Sequence, residues 1–210
     1  FGEESLRLRE KRLALKQAFF GKDPGSTGFF EFDFSDGAEM NALSECLSHP
    51  GLFATKKFII AGNIFDAPIE TRRALAEFLE TNRNDIAADE NRILLLFQNG
   101  QPKKIEKLWK ALAVKEVKSQ EFAPLGEPAL LRWMDQVARQ AGAQGIEPKA
   151  QRLLLDICRV PASRSGGKSA IDMFQLDAEV RKLAAYRTNA ILREEDIQAL
   201  SPKVASEETV

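Results

Sequence analysis

The nine residues ASRSGGKSA, positions 162–170, come close to a known chemistry. A phosphate-binding loop reads Gly, four residues, then Gly-Lys-Ser or Gly-Lys-Thr. Its backbone N–H groups cradle the phosphates, its lysine neutralises them and its hydroxyl reaches Mg²⁺. Gly167, Lys168 and Ser169 supply the second half of that pattern, but the position of the first glycine holds Ala162. The motif also needs a buried strand just ahead of it, and LLLDICRVPA (153–162) reads as the end of a helix. The plainer reading is a surface loop before a helix, with Ser169 a candidate N-cap. A nucleotide-hydrolysing enzyme using Lys168 and Ser169 stands as the rival.

Other reactive side chains are sparse. Glu10, Asp33 and Asp36 could form an acid cluster, but His49 is the one histidine and no base is paired with them. No catalytic residue, metal site or cofactor is expected. Cys46 and Cys158 lie far apart in apolar contexts and read as reduced thiols of a cytosolic protein. With 30 basic and 31 acidic residues, no global field calls for nucleic acid or an anionic membrane. Lys56, Lys57, Arg72, Arg73, Lys103, Lys104, Lys107 and Lys110 read mainly as solvated surface. No apolar run approaches the roughly 20 residues of a membrane span, and no secretory signal is visible.

The elements that would position these residues alternate in type. Residues 3–20 read as a helix carrying Leu6, Leu8, Leu13, Leu15, Ala18 and Phe19. FFEFDF (29–34) is an aromatic, alternating strand, and 36–47 a helix with Met40, Leu43, Cys46 and Leu47 on one face. KKFIIAGN (56–63) has the continuous apolar middle of a parallel strand buried on both faces. A helix over 67–82, a strand over 91–99, a helix over 102–113 and a last or edge strand over 114–122 follow. This alternation predicts an α/β parallel-sheet domain with helices on both faces. Beyond Pro128 the pattern contains helices only, at about 128–142, 148–159, 169–187 and 193–200, a small all-helical domain. Residues 202–210 read as a polar tail or the start of a linker.

In a nucleotide-binding sheet the phosphate loop follows the first strand. Here that place holds FGEESLRLRE, which opens like the tail of a strand running into a helix, so most of the strand is expected upstream. The turn has one glycine and no Lys-Ser pair. Glu3 and Glu4 sit where phosphates would approach, and carboxylates at a helix N-terminus favour the helix while repelling phosphate. ILLLFQN (93–99) ends in Gln98 and Asn99, not in the acid that would organise Mg²⁺. The scaffold is of the nucleotide-binding kind without the means to run ATP chemistry.

In HPGLFATKKFII (49–60), Leu52 and Phe53 stand side by side on a corner opened by Pro50 and Gly51. They either plug the core or are offered to a partner. The residues alone favour the plug, because corner hydrophobes often tuck under a sheet.

The FGEE turn, the GLFATKKFIIAGN corner and the FAPLGEPALLRWM joint together resemble the delta subunit of the bacterial DNA polymerase III clamp loader. The matches are Phe1, Gly2 and Glu3 at the turn, Leu8, Arg9 and Glu10 in the helix, and Phe122, Pro124, Leu125, Leu130 and Trp133 at the joint. The resemblance covers nearly the whole chain, with order and spacing more specific than any one motif. It implies an AAA+-like α/β domain without a phosphate-binding loop over 1–123 and a helical lid domain over 124–201. A third, collar domain has no counterpart in this sequence, so an N-terminal fragment is expected.

The resemblance also implies a role. Leu52 and Phe53 would insert into an apolar pocket on the beta sliding clamp, and the subunit would hold the ring open for loading onto primed DNA. Other loader subunits, the ATPase subunits and delta prime, would hydrolyse ATP in the bacterial cytoplasm. DNA would be met only within the assembled complex. The 161–169 loop is longer than the family pattern, which leaves its local geometry open. An α/β adaptor whose Leu-Phe corner binds an unrelated partner is the second rival.

Overall fold

The computed structural model describes residues 1–21, 27–35, 40–48, 56–104, 106–161 and 170–200. The chain divides into two compact units, residues 1–124 and a second beginning at Leu125.

The first unit is built on β2, Lys56–Gly62, the middle strand of a parallel ladder with β1, Thr27–Asp33, and β3, Arg92–Phe97. Its alternation sorts two cores. Phe58 and Ile60 face α1, Ser5–Phe20, and pack with Leu8, Phe97 and Phe122. Ile59 and Ala61 face the opposite layer of α2, Met40–Ser48, α3, Ile69–Ala88, and α4, Lys107–Leu112, meeting Leu43, Leu75 and Leu108. Helices on both faces explain why KFIIAG needs no polar residue at alternate positions.

The ladder continues past β3 through single residues. Gly2 bridges to Asn99, with its N–H on the Gln98 carbonyl at 3.2 Å. On its other side Phe1 accepts from the Phe122 N–H at 2.7 Å and donates to the Gln120 carbonyl at 3.0 Å. The first residues of the chain therefore lie inside the sheet, between β3 and the 120–122 segment.

Several boundaries differ from the expectation. α3 runs six residues beyond the expected end at 82, because TNRNDIAA contains no Gly or Pro and Ile86 still packs on the core. α4 is confined to Lys107–Leu112. The expected strand over 114–122 is a turn, closed by Val117 N–H to the Val114 carbonyl at 3.1 Å, and only 120–122 reaches the sheet. Leu13, assigned to the apolar stripe of α1, is 49% exposed, since Leu8, Leu15 and Phe19 form the face that packs.

The second unit holds α5, Glu127–Gln140, α6, Pro148–Ile157, α7, Met173–Tyr186, and α8, Glu194–Leu200. Met134, Leu154, Leu176, Val180 and Leu183 form its core. The expectation of helices only is corrected by two-residue strands. β4, Gly145–Ile146, pairs in parallel with β7, Ile191–Leu192, and β5, Arg159–Val160, pairs antiparallel with β6, Ala170–Ile171. These pairs satisfy the backbone of interhelical connections that run side by side. They also move the start of α7 from the expected 169 to Met173, where Asp172 accepts from the N–H groups of Phe174 and Gln175 at 3.0 Å each.

Candidate functional site

In an open α/β sheet, ligands bind beyond the carboxyl ends of the parallel strands. In the first unit this end is closed by side chains bonded to one another. Asp33 ends β1, Asn63 follows β2, and Gln98 and Asn99 follow β3. The Asn63 amide donates to Asp33 Oδ2 at 2.9 Å and Oδ1 at 3.1 Å, while its own oxygen accepts from Asn99 Nδ2 at 3.0 Å. Ser35 donates to Asp33 Oδ1 from its N–H at 2.9 Å and its hydroxyl at 2.6 Å. Gln98 accepts from the Phe65 N–H at 2.9 Å and donates to Asp66 Oδ2 at 2.9 Å. One amide thus ties three strand ends together.

Burial by itself would push the Asp33 carboxyl up, but hydrogen bonds from Ser35 and Asn63, with the charge of Arg12, hold it below its ordinary value. The acid cluster weighed in the sequence can be followed only in part. Asp33 is committed to Ser35 and Asn63, Glu10 lies on α1, and Asp36 is outside the described residues. Among the described residues no group of His, Cys, Asp or Glu could hold a metal ion.

The turn ahead of α1 bears on nucleotide binding. A phosphate loop needs several free N–H groups converging at the helix start. Here only Gly2, Glu3 and Glu4 separate Phe1 from the helix, and the Glu4 N–H is taken by the Phe122 carbonyl at 3.0 Å. Gly2 is required at its place: at φ 143° a Cβ would lie 2.3 Å from the Phe122 carbonyl oxygen. Glu4 is 6% exposed. Burial pushes its carboxyl above the ordinary value, against the pull of Arg7 and a hydrogen bond from the Leu6 N–H, and Glu10 adds to the rise. A buried acid therefore stands immediately before the first turn of α1. Lys168 and Ser169, the rival phosphate ligands, lie outside the described residues, as does His49.

The corner carrying Leu52 and Phe53 also lies outside the described residues, but both of its flanks are described. Leu43 and Leu47 anchor α2 in the core. The carbonyls of its last turn are capped by two cations from the sheet. Lys57 donates to the Cys46 carbonyl at 2.8 Å, and Arg92 donates to the Leu47 carbonyl while holding Asp89 at 2.7 Å. The sequence reading missed Arg92. Its signal was the spacing of Asp89 and Arg92, an acid-base pair around a strand start. Cations at a helix C-terminus complement the dipole.

Several of the basic residues weighed for DNA contact have partners within the first unit. Arg72 bonds the Phe65 carbonyl at 2.8 Å and Glu106 at 3.3 Å, Arg73 pairs with Glu70 at 3.3 Å, and Lys107 with Glu77 at 3.2 Å. Lys104 lies 5.8 Å from the centre of the Trp109 ring.

No protein-family profile matches the chain, and no curated protein matches it. Among solved structures, the Bacillus subtilis DNA clamp loader delta protein (YqeN) superposes with a TM-score of 0.60 at 15% identity. The match covers 95% of this chain and 56% of that one. The fold is that of clamp-loader delta. This chain spans little more than half of the delta protein it matches. The helices and strands of the parallel sheet, and the helices of the second unit, follow one another in the order the sequence suggested. No described helix is long and apolar enough to cross a membrane.

Proposed function

We propose that this chain is the clamp-opening part of a clamp-loader delta subunit, a protein that grips the beta sliding clamp without hydrolysing ATP. The observation that carries the reading is a delta fold whose turn into α1 holds a buried carboxyl, Glu4, with its N–H already taken by the Phe122 carbonyl. Such a sheet retains the architecture of a nucleotide-driven machine and lacks its fuel site. Its contribution to loading is then a contact surface, with ATP turned over by partner subunits of the loader and primed DNA met only in the whole assembly. The setting is bacterial and cytoplasmic.

Leu52 and Phe53 are the proposed clamp anchors. Two adjacent apolar side chains on a corner make a compact hot spot. Each fully buried side chain contributes about 1.5–3 kcal/mol. Lys57 and Arg92 fasten the end of α2 to the starts of β2 and β3, the elements that flank the corner.

The deciding experiment is binding of the 210-residue chain to the sliding clamp of the same organism, beside the Leu52→Ala/Phe53→Ala double mutant. The expected loss is about 3–6 kcal/mol, more than a hundredfold in Kd, with unchanged circular dichroism. A wild-type chain that ignores the clamp, or a folded double mutant that binds it equally well, overturns the assignment. A rise in melting temperature with MgATP would revive the ATPase alternative.

A further inference from the structure

Asn99 is the one asparagine in the chain followed by glycine. In an unfolded chain that pair deamidates, because glycine has no side chain to hinder its own nitrogen. The Gly100 nitrogen loses its proton and attacks the side-chain amide carbon of Asn99; a C–N bond forms and ammonia leaves. Water then opens the cyclic imide at one carbonyl or the other, leaving aspartate or isoaspartate. The sum is amide plus water to carboxylic acid plus ammonia, with no oxidant or cofactor.

The structure holds every group that this attack has to move. The Gly100 N–H donates to the Gly2 carbonyl at 2.9 Å. The Asn99 carbonyl, at the other end of the same peptide unit, accepts from Gln98 Nε2 at 2.9 Å. The Asn99 side chain donates from Nδ2 to Asn63 Oδ1 at 3.0 Å. The nucleophile thus keeps its proton and is directed at Gly2, while the amide it would attack is directed at Asn63. Asn99 is itself exposed, so water is at hand and the bonds, not burial, hold the reaction back.

We propose that Asn99–Gly100 is a deamidation site closed by folding, and that its product is a lasting mark on a chain that has opened at this end of the sheet. The product does not fit back into the cluster. Asn63 gives its amide hydrogens to Asp33, at 2.9 and 3.1 Å, and presents only its oxygen to Asn99. An aspartate in place of Asn99 sets a carboxylate against that oxygen, with the Asp33 carboxylate on the other side of the same amide. Two anions then share one donor group, and one of them is left unpaired. Isoaspartate also lengthens the main chain where it bridges to Gly2. Opening therefore permits the reaction, and the reaction favours further opening.

This inference is independent of the clamp reading. The 210-residue chain is incubated in native buffer and in urea at the same mildly alkaline pH, and peptide mass spectrometry follows conversion at Asn99. Each of the three bonds is worth about two- to tenfold in an equilibrium, so the native chain should convert at least about tenfold more slowly. Folding should slow hydrogen exchange at the Gly100 amide by a matching factor, since both processes need that N–H released. Equal conversion in the two buffers overturns the proposal. So does a native chain that converts freely while its Gly100 amide stays protected.

The mark is tested with Asn99→Asp, which should lower the urea midpoint. Adding Asp33→Asn should restore most of the loss, because Asn63 can then turn its amide round, accepting from position 33 and donating to position 99. An Asn99→Asp midpoint equal to that of the unaltered chain, or one that Asp33→Asn leaves unraised, overturns the conflict between product and cluster.

Discussion

Asn63 holds both carboxylate oxygens of Asp33, at 2.9 and 3.1 Å, from a backbone turned to φ 53°. Asparagine tolerates that left-handed conformation better than most residues, so backbone and side chain are both suited to the place. Asn63→Gly should lose the bonds but keep the turn, costing about 1–3 kcal/mol. Asn63→Ala should lose both and cost roughly a further 1–2 kcal/mol. Urea midpoints of the two variants measure the difference, and equal midpoints would show that the backbone carries no strain.

Glu4 and Asp33 should respond to pH in opposite directions. Glu4 has a folded pKa above its unfolded value, so between the two the folded chain binds more protons and stability falls as pH rises. Glu4→Gln should therefore raise the urea midpoint at pH 7 and flatten that part of the profile. Asp33 has a lowered folded pKa, so its contribution is present above the unfolded value and is lost as pH falls through the folded one. In Asp33→Asn the acid-side loss should shrink. Unfolding curves from pH 3 to pH 7 separate the two.

Arg92→Met keeps an unbranched apolar stem and removes the guanidinium. It leaves the Leu47 carbonyl uncapped and Asp89 without its partner, at an expected cost of about 1.5–3 kcal/mol. Exchange of the α2 amides should quicken more than that of α5. If α2 is unaffected, the cap contributes nothing to the corner's flank.

In the second unit, Asp172→Ala removes the N-cap of α7 and should cost about 1 kcal/mol. Asp172→Ser should recover most of it. A change from Ser169 is not expected to reproduce the effect, because α7 begins at Met173.

The alternation of helix and strand was readable wherever a period was unbroken, as in the apolar runs of β2 and β3. What escaped the sequence was set by contacts distant along the chain. Residues 114–122 have strand-like composition, but the sheet has room for only 120–122 beside Phe1. The two-residue strands of the second unit are too short to show any period. The acidic turn ahead of α1 was legible from Glu3 and Glu4, although only the structure shows that Glu4 is the buried one. Asp33, Asn63 and Asn99 come from three separate strand ends, and no local pattern announces that they meet.

The two braces on α2 have a mechanical consequence. Lys57 and Arg92 fasten the end of the helix to the starts of β2 and β3, so a tug on the corner between Ser48 and Lys56 is divided between helix and sheet. β2 lies between two parallel neighbours in register from Lys57 to Gly62. Tension along its axis therefore loads the hydrogen bonds on both sides in shear, all at once, and cannot peel them off singly. A handle mounted on the central strand loads two ladders at once, whereas the same handle on β1 would load only one.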